Sequence, residues 1–207
     1  MKLAFKPTDA AGACFARCNL LMISTFDAEN EHLTDDICRS ALVMAVSAVD
    51  SYMHWLVYDK LSEVRKGRDI PPALAKLAVP FSSIALLADS VIENREKIRP
   101  WVQVKNAMQK KLLSETFQSF EQLGQAMAMA GISNGWKKIS EQLGEPAAII
   151  KTRLNHIVHR RNQIVHEGDI MRKSRPRNVV FNEITVEQTI SDIDWLDDLI
   201  TAIDLSR

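Results

Sequence analysis

Between Thr34 and Lys66 the chain carries neither Gly nor Pro, and apolar residues recur there at three- and four-residue spacings. That period buries one face of a long helix; a strand would alternate at every second residue. Seven Gly and seven Pro punctuate all 207 residues. Sandwiches and barrels need a turn roughly every ten residues, so this chain has too few. The remaining segments repeat the helical pattern. A first helix is expected over Thr8 to Phe26 with Thr8 or Asp9 as its cap, and a second from Thr34, whose hydroxyl can cap it, to Lys66. Pro72 opens a third, Pro80 breaks it before Phe81 to Ile98 resumes, and Pro100 stops it again. Helical spacing then runs from Val102 to Ala130, and a short helix, Trp136 to Leu143, is closed by Gly144. Pro146 to His166 forms a longer helix that meets Gly168, and Thr185 with Gln188 matches a T-x-x-Q capping box opening the last one. Only Asn178 to Ile184 has β character, and one short strand makes no sheet. The expected fold is all-α, a helical bundle of five or more helices, with residues 1–207 as a single domain.

Composition leaves any charged-partner preference to local segments. Basic and acidic residues balance at 26 each, so no global charge points to nucleic acid or a membrane surface. The most apolar run, Ser40 to Val57, is interrupted by Asp50 and His54, and the start of the chain lacks the apolar block of a secretory signal. The expectation is a cytoplasmic protein with no membrane partner. Cys14 and Cys18 share a helical face with Phe15 and Leu21, which reads as core; there is no CxxC pair and no His cluster, so no metal or other cofactor is expected.

Overall neutrality hides a local asymmetry. Lys151, Arg153, Arg160, Arg161, Arg172, Lys173, Arg175 and Arg177 face only Glu167 and Asp169 within residues 151–177, a span that also holds His156, His159 and His166. The following segment is acidic, with Glu183, Glu187, Asp192, Asp194, Asp197, Asp198 and Asp204 against Arg207. Two readings stand side by side: the acidic helix neutralises the basic segment, or the basic segment faces a phosphate-bearing ligand.

Helical geometry sharpens the second reading. With Ile150 at 0° and 100° per residue, Leu154, Ile157, Val158, Ile164 and Val165 fall between about −40° and +80°, the core-facing arc. Arg161 falls at about 20°, inside that arc, where its permanent charge needs acceptors. Asn162, Asn155, His166 and His159 occupy an adjoining polar strip from about 120° to 180°. These types suit metal-free RNA cleavage: a neutral His takes the proton of the ribose 2′-OH as it attacks the adjacent phosphate, Arg stabilises the developing phosphoryl charge, and Asn orients either group. Arg161 and His166 are nevertheless about 140° apart on an ideal helix. They converge only if the helix unwinds near Gly168 or if two copies bring their strips together.

The run Arg161, Asn162, Gln163, Ile164, Val165, His166 resembles the R-N-x-x-x-H form of the R-x(4 to 6)-H motif of the HEPN superfamily, and Glu167, Gly168, Asp169 resembles its H-x-G-D ending. Trp136 to Gly144 and Leu154 to Arg160 are similar to HEPN proteins of the RiboL-PSP type, so the detailed resemblance covers about residues 131–170. It implies a bundle that dimerises through the motif helix, with two Arg and two His in a composite cleft that cuts single-stranded RNA without metal. Arg161 would then be the phosphate-stabilising Arg, Asn162 the polar residue after it, and His166 the general base or acid. Arg160 also satisfies the looser spacing. His159, Arg160 and Asp169 are expected as supporting or RNA-binding groups. Asp50, at the edge of the core arc of the second long helix, is matched to the superfamily's polar position facing the motif, where it would pair with Arg161 or orient His166; a solvated boundary carboxylate is the equal alternative.

The expected function is therefore a homodimeric, metal-independent endoribonuclease of a toxin or antiphage-defence system, restrained by an antitoxin or other regulator. The alternative is a non-catalytic HEPN-type module that binds RNA or a nucleotide. A third reading, a purely structural helical protein, requires Arg161 to be a buried ion-pair residue. Trp101 and Trp136 can stack bases or anchor helix starts.

Overall fold

A computed structural model describes residues 5–28, 30–64, 70–78, 80–93, 100–172 and 177–207. Among them the chain is all-α: α1 (Pro7–Ser24), α2 (Glu31–Glu63), α3 (Pro72–Ala75), α4 (Phe81–Glu93), α5 (Pro100–Leu112), α6 (Phe120–Met129), α7 (Gly135–Leu143), α8 (Ala147–Glu167) and α9 (Val186–Leu205). The expected end of the second helix at Lys66 and the expected end of the next helical stretch at Ile98 fall outside the described residues.

α2 is the axis of the bundle. Its apolar face, from Cys38 through Leu42, Val46, Val49, Met53 and Leu56 to Leu61, is buried against α1, α9, α6, α8 and α5. Each such side chain contributes on the order of 2 kcal/mol. By length and composition alone α2 could cross a bilayer, yet 56% of its most apolar window is buried in the fold. Cys18 and Cys38 lie in this core, and burial raises the Cys18 thiol to about 12.

The helix starts differ from the sequence expectation in instructive ways. α1 begins at Pro7, and Asp9 sits at the third position, its carboxylate accepting the Lys6 N–H at 2.8 Å. α2 begins earlier than Thr34 because Asn30, a better cap than Thr, accepts the Leu33 N–H at 3.0 Å. The segment expected to be helical from Val102 to Ala130 breaks after Leu112, without Gly or Pro. A capping box starts α6, with Ser119 accepting from the Gln122 N–H and Gln122 accepting the Ser119 N–H at 3.0 Å. At α9, Thr185 accepts the Gln188 N–H, but the Gln188 side chain turns to Asp192 instead of closing the box. The β-like stretch makes only an isolated antiparallel bridge, Ile170 to Phe181.

Candidate functional site

α8 opens after Pro146 and is anchored by Ile150, Leu154, Ile157 and Val158, its only buried side chains. Gly168 and Asp169 both adopt left-handed φ, 62° and 58°, and their N–H groups return to the Gln163 carbonyl. α8 is regular through Glu167. The unwinding near Gly168 that would bring Arg161 and His166 together within one chain is therefore absent, and the five-residue offset leaves them about 7.5 Å apart along the axis as well as on different sides of the helix.

The two adjacent arginines have opposite surroundings. Arg160 is engaged throughout: Nη1 and Nη2 donate to the two carboxylate oxygens of Asp169, and Nη2 also reaches the Glu183 carbonyl at 3.0 Å. Arg161 is half-buried, and its Nη1 donates to Asn162 Oδ1 at 3.0 Å. Its Nε–H is shut off from water and has no acceptor, and among the described residues no carboxylate pairs with it. Arg161 therefore keeps its full charge available beside Asn162, whereas Arg160 does not.

Asn162, His159 and His166 are exposed on α8. His166 lies in the last turn of α8. Asn155 leaves the strip: it is half-buried and its side-chain oxygen accepts the Phe120 N–H at 3.4 Å.

Asp169 is not an RNA-facing group. It is 1% exposed and takes hydrogen bonds from Arg39 Nε at 2.6 Å, from Arg160 and from Asn182 Nδ2 at 3.1 Å. Burial pushes its carboxyl up, but these donors more than offset that and hold it below its usual value. Arg160 joins the same network: an enclosed carboxylate must be met by several donors, and these two groups meet each other.

Asp50 is half-buried and its Oδ1 accepts the Phe117 N–H at 2.5 Å, with Oδ2 3.8 Å from His54 Nε2. That carboxylate pins the loop between α5 and α6; among the described residues it makes no bond to Arg161 or His166. The tryptophans are anchors. Trp101 donates to the Val64 carbonyl at 2.9 Å, and Trp136 stacks on Phe120 at 3.8 Å.

The charge asymmetry resolves only in part through α9. Arg153 donates to Ser191 and lies 3.9 Å from Asp192, and it stacks over Trp195, whereas Lys151 pairs with Glu121 and Arg172 with Glu167. Lys173 and Arg175 lie outside the described residues. A cleft of about 520 Å³ lies on another flank of α8, lined by His156, Arg160, Gln163, Gln188 and Asp192 but by neither Arg161 nor His166. Among the described residues no three His, Cys, Asp or Glu side chains gather as a metal set.

One residue of the buried network, Arg39, was not anticipated from the sequence. The signal was present: with Leu42 at 0°, position 39 falls at about 60°, on the core-facing arc of α2, where a charged residue must find a partner.

The RiboL-PSP-HEPN family model matches residues 17–206. The chain belongs to the RiboL-PSP-HEPN family. Membership supports a nucleotide- or RNA-related function of the HEPN kind in general. No curated protein and no solved structure matches the chain.

Proposed function

We propose that this HEPN protein is a metal-independent endoribonuclease that cleaves single-stranded RNA through attack of the 2′-OH on the adjacent phosphate. The observation that carries the reading is the contrast on α8: Arg161 stands beside Asn162 with no carboxylate partner among the described residues, while Arg160 is consumed by Asp169. A guanidinium left without a counter-charge is suited to a phosphoryl oxygen. His166 supplies the base that takes the 2′-OH proton and then, as imidazolium, protonates the 5′-oxygen that leaves.

α8 stays regular to its end, so a single copy does not bring Arg161 and His166 to one phosphate. The enzyme therefore acts as a homodimer in which α8 of each copy faces the other. Val165, 46% exposed between the two groups, supplies apolar surface at that seam. A toxin or antiphage effector held in check by an antitoxin or other regulator is the biological setting that suits such an enzyme, working in the cytoplasm.

A second reading is a module that binds RNA or a nucleotide without cutting. It is favoured by His166 itself, for which no orienting hydrogen bond is found among the described residues, whereas catalytic bases are commonly held by a third group. The test is cleavage of end-labelled single-stranded RNA in excess EDTA at two salt concentrations, with His166→Ala alongside. Products ending in 2′,3′-cyclic phosphate, lost in the variant, support the nuclease. Undiminished cleavage by His166→Ala sinks it, and salt-dependent binding without cleavage turns the reading to the binding module.

A further inference from the structure

The motif end of α8 is held in an unusual way. Past Val158 no residue of α8 is buried, so the turns carrying Arg161, Asn162 and His166 have little apolar packing beneath them; Ile164 is only partly covered. The next buried side chain in the chain is Asp169, three residues beyond His166 and just after the left-handed turn. What fixes the end of the helix is therefore a charged anchor.

That anchor comes from α2. Arg39, 9% exposed, donates from Nε to Asp169 Oδ2 at 2.6 Å and from Nη2 to the Asn182 carbonyl at 3.0 Å. Its Nη1 is met by Asp36 at 3.2 Å and Asp35 at 3.7 Å, and its guanidinium lies over the Phe181 ring. Asn182 in turn donates its N–H and its side-chain amide to the Asp169 carbonyl at 2.9 and 3.1 Å. One guanidinium thus ties three segments: the body of α2, the turn after His166 and the returning strand-like stretch. Arg160 closes the loop by gripping Asp169 from within α8 itself.

We infer that Arg39 is a positioning residue, which through Asp169 fixes the last turns of α8 and with them the place of His166. The inference rests on the nuclease reading for its consequence in cleavage and on the geometry alone for its effect on the helix end. A buried guanidinium that spans two acceptors has no equal substitute: Lys offers a point charge that meets Asp169 but not the Asn182 carbonyl at the same time. Because the apolar core of α8 ends at Val158, losing Arg39 loosens the motif turns while leaving the bundle packed. Displacing a catalytic group by about 1 Å can lower turnover about 100-fold without touching substrate affinity.

The experiment is backbone hydrogen exchange, read by mass spectrometry, on the full chain and on Arg39→Gln and Arg39→Lys, together with cleavage kinetics on the same preparations. Exchange across residues 159–170 should rise roughly tenfold in Arg39→Gln, with α2 and α9 unchanged, and turnover should fall with KM held. Arg39→Lys should fall between the two, and it carries the test if the Gln variant does not fold. Unchanged exchange at 159–170, or loosened exchange with full turnover, overturns the role assigned to Arg39. If the unmutated protein cleaves no RNA, the nuclease reading fails, and the exchange data still decide whether Arg39 anchors the helix end.

Discussion

Arg160 meets both carboxylate oxygens of Asp169 from one guanidinium, and so the turn that follows α8 is folded back against the helix that precedes it. The neighbouring Arg161 has no such bond. The two side chains should therefore fail differently when removed. Arg160→Ala strips a buried carboxylate of one of its two cationic partners and should cost about 3 kcal/mol. Arg161→Ala should change stability by less than about 1 kcal/mol yet abolish cleavage. Urea unfolding beside the RNA assay measures both; an Arg161→Ala protein that unfolds as early as Arg160→Ala would place Arg161 among the structural ion pairs instead.

Acid should separate two buried carboxylates. Burial pushes Asp169 up, but its donors bring it below the ordinary value. Burial raises Asp192, which Gln188, Arg153 and His156 only partly offset. A depressed folded-state value stabilises the fold above the unfolded pKa of about 3.9, and that contribution is lost as pH falls through the folded value. A raised value works in reverse: its contribution is full below about pH 3.9 and is lost as pH rises through the folded value. Asp192→Asn should accordingly raise the urea midpoint at pH 7, with the gain shrinking toward about pH 4. Asp169→Asn should lower the midpoint at pH 7, and its deficit should shrink only at more acidic pH. A lowered pH 7 midpoint for Asp192→Asn would mean that its hydrogen bond from Gln188 and its ion pair with Arg153 outweigh its desolvation.

Asp50 makes a third case. Its carboxylate caps the Phe117 N–H, which is otherwise buried without an acceptor. Asp50→Ala should cost about 1 to 2 kcal/mol, and the loss should be one of stability, with turnover per folded molecule retained. Cleavage by the variant at a temperature well below its midpoint checks this. Lost turnover in a fully folded Asp50→Ala protein would restore Asp50 as a group supporting Arg161 or His166.

These contrasts show where sequence reasoning reached and where it stopped. The helices were legible because apolar periodicity and Pro and Gly punctuation act locally, and α8 together with its Gly168 turn was read nearly to the residue. The break before α6 was missed because a serine cap, not Pro or Gly, starts that helix; the Ser119 to Gln122 spacing was its only local sign. The partnership of Arg39 with Asp169 joins residues 130 positions apart, which no local pattern encodes. The choice between Arg160 and Arg161 was likewise invisible, since it depends on which guanidinium the folded Asp169 faces.

Cooperation between two copies gives the most discriminating prediction. α8 keeps Arg161 and His166 of one chain on different sides of a regular helix, so the proposed nuclease needs Arg161 of one copy beside His166 of the other. Arg161→Ala and His166→Ala should each be inactive alone. Mixed and allowed to exchange subunits, they form heterodimers that hold one intact Arg161 and one intact His166 on opposite copies. If assortment is random, about half of the dimers are of this kind, and cleavage should reappear at a sizeable fraction of the unmutated rate. Native mass spectrometry establishes that exchange has occurred. Heterodimers that form and remain inactive would remove the cross-copy arrangement, because every residue it requires would then be present without effect.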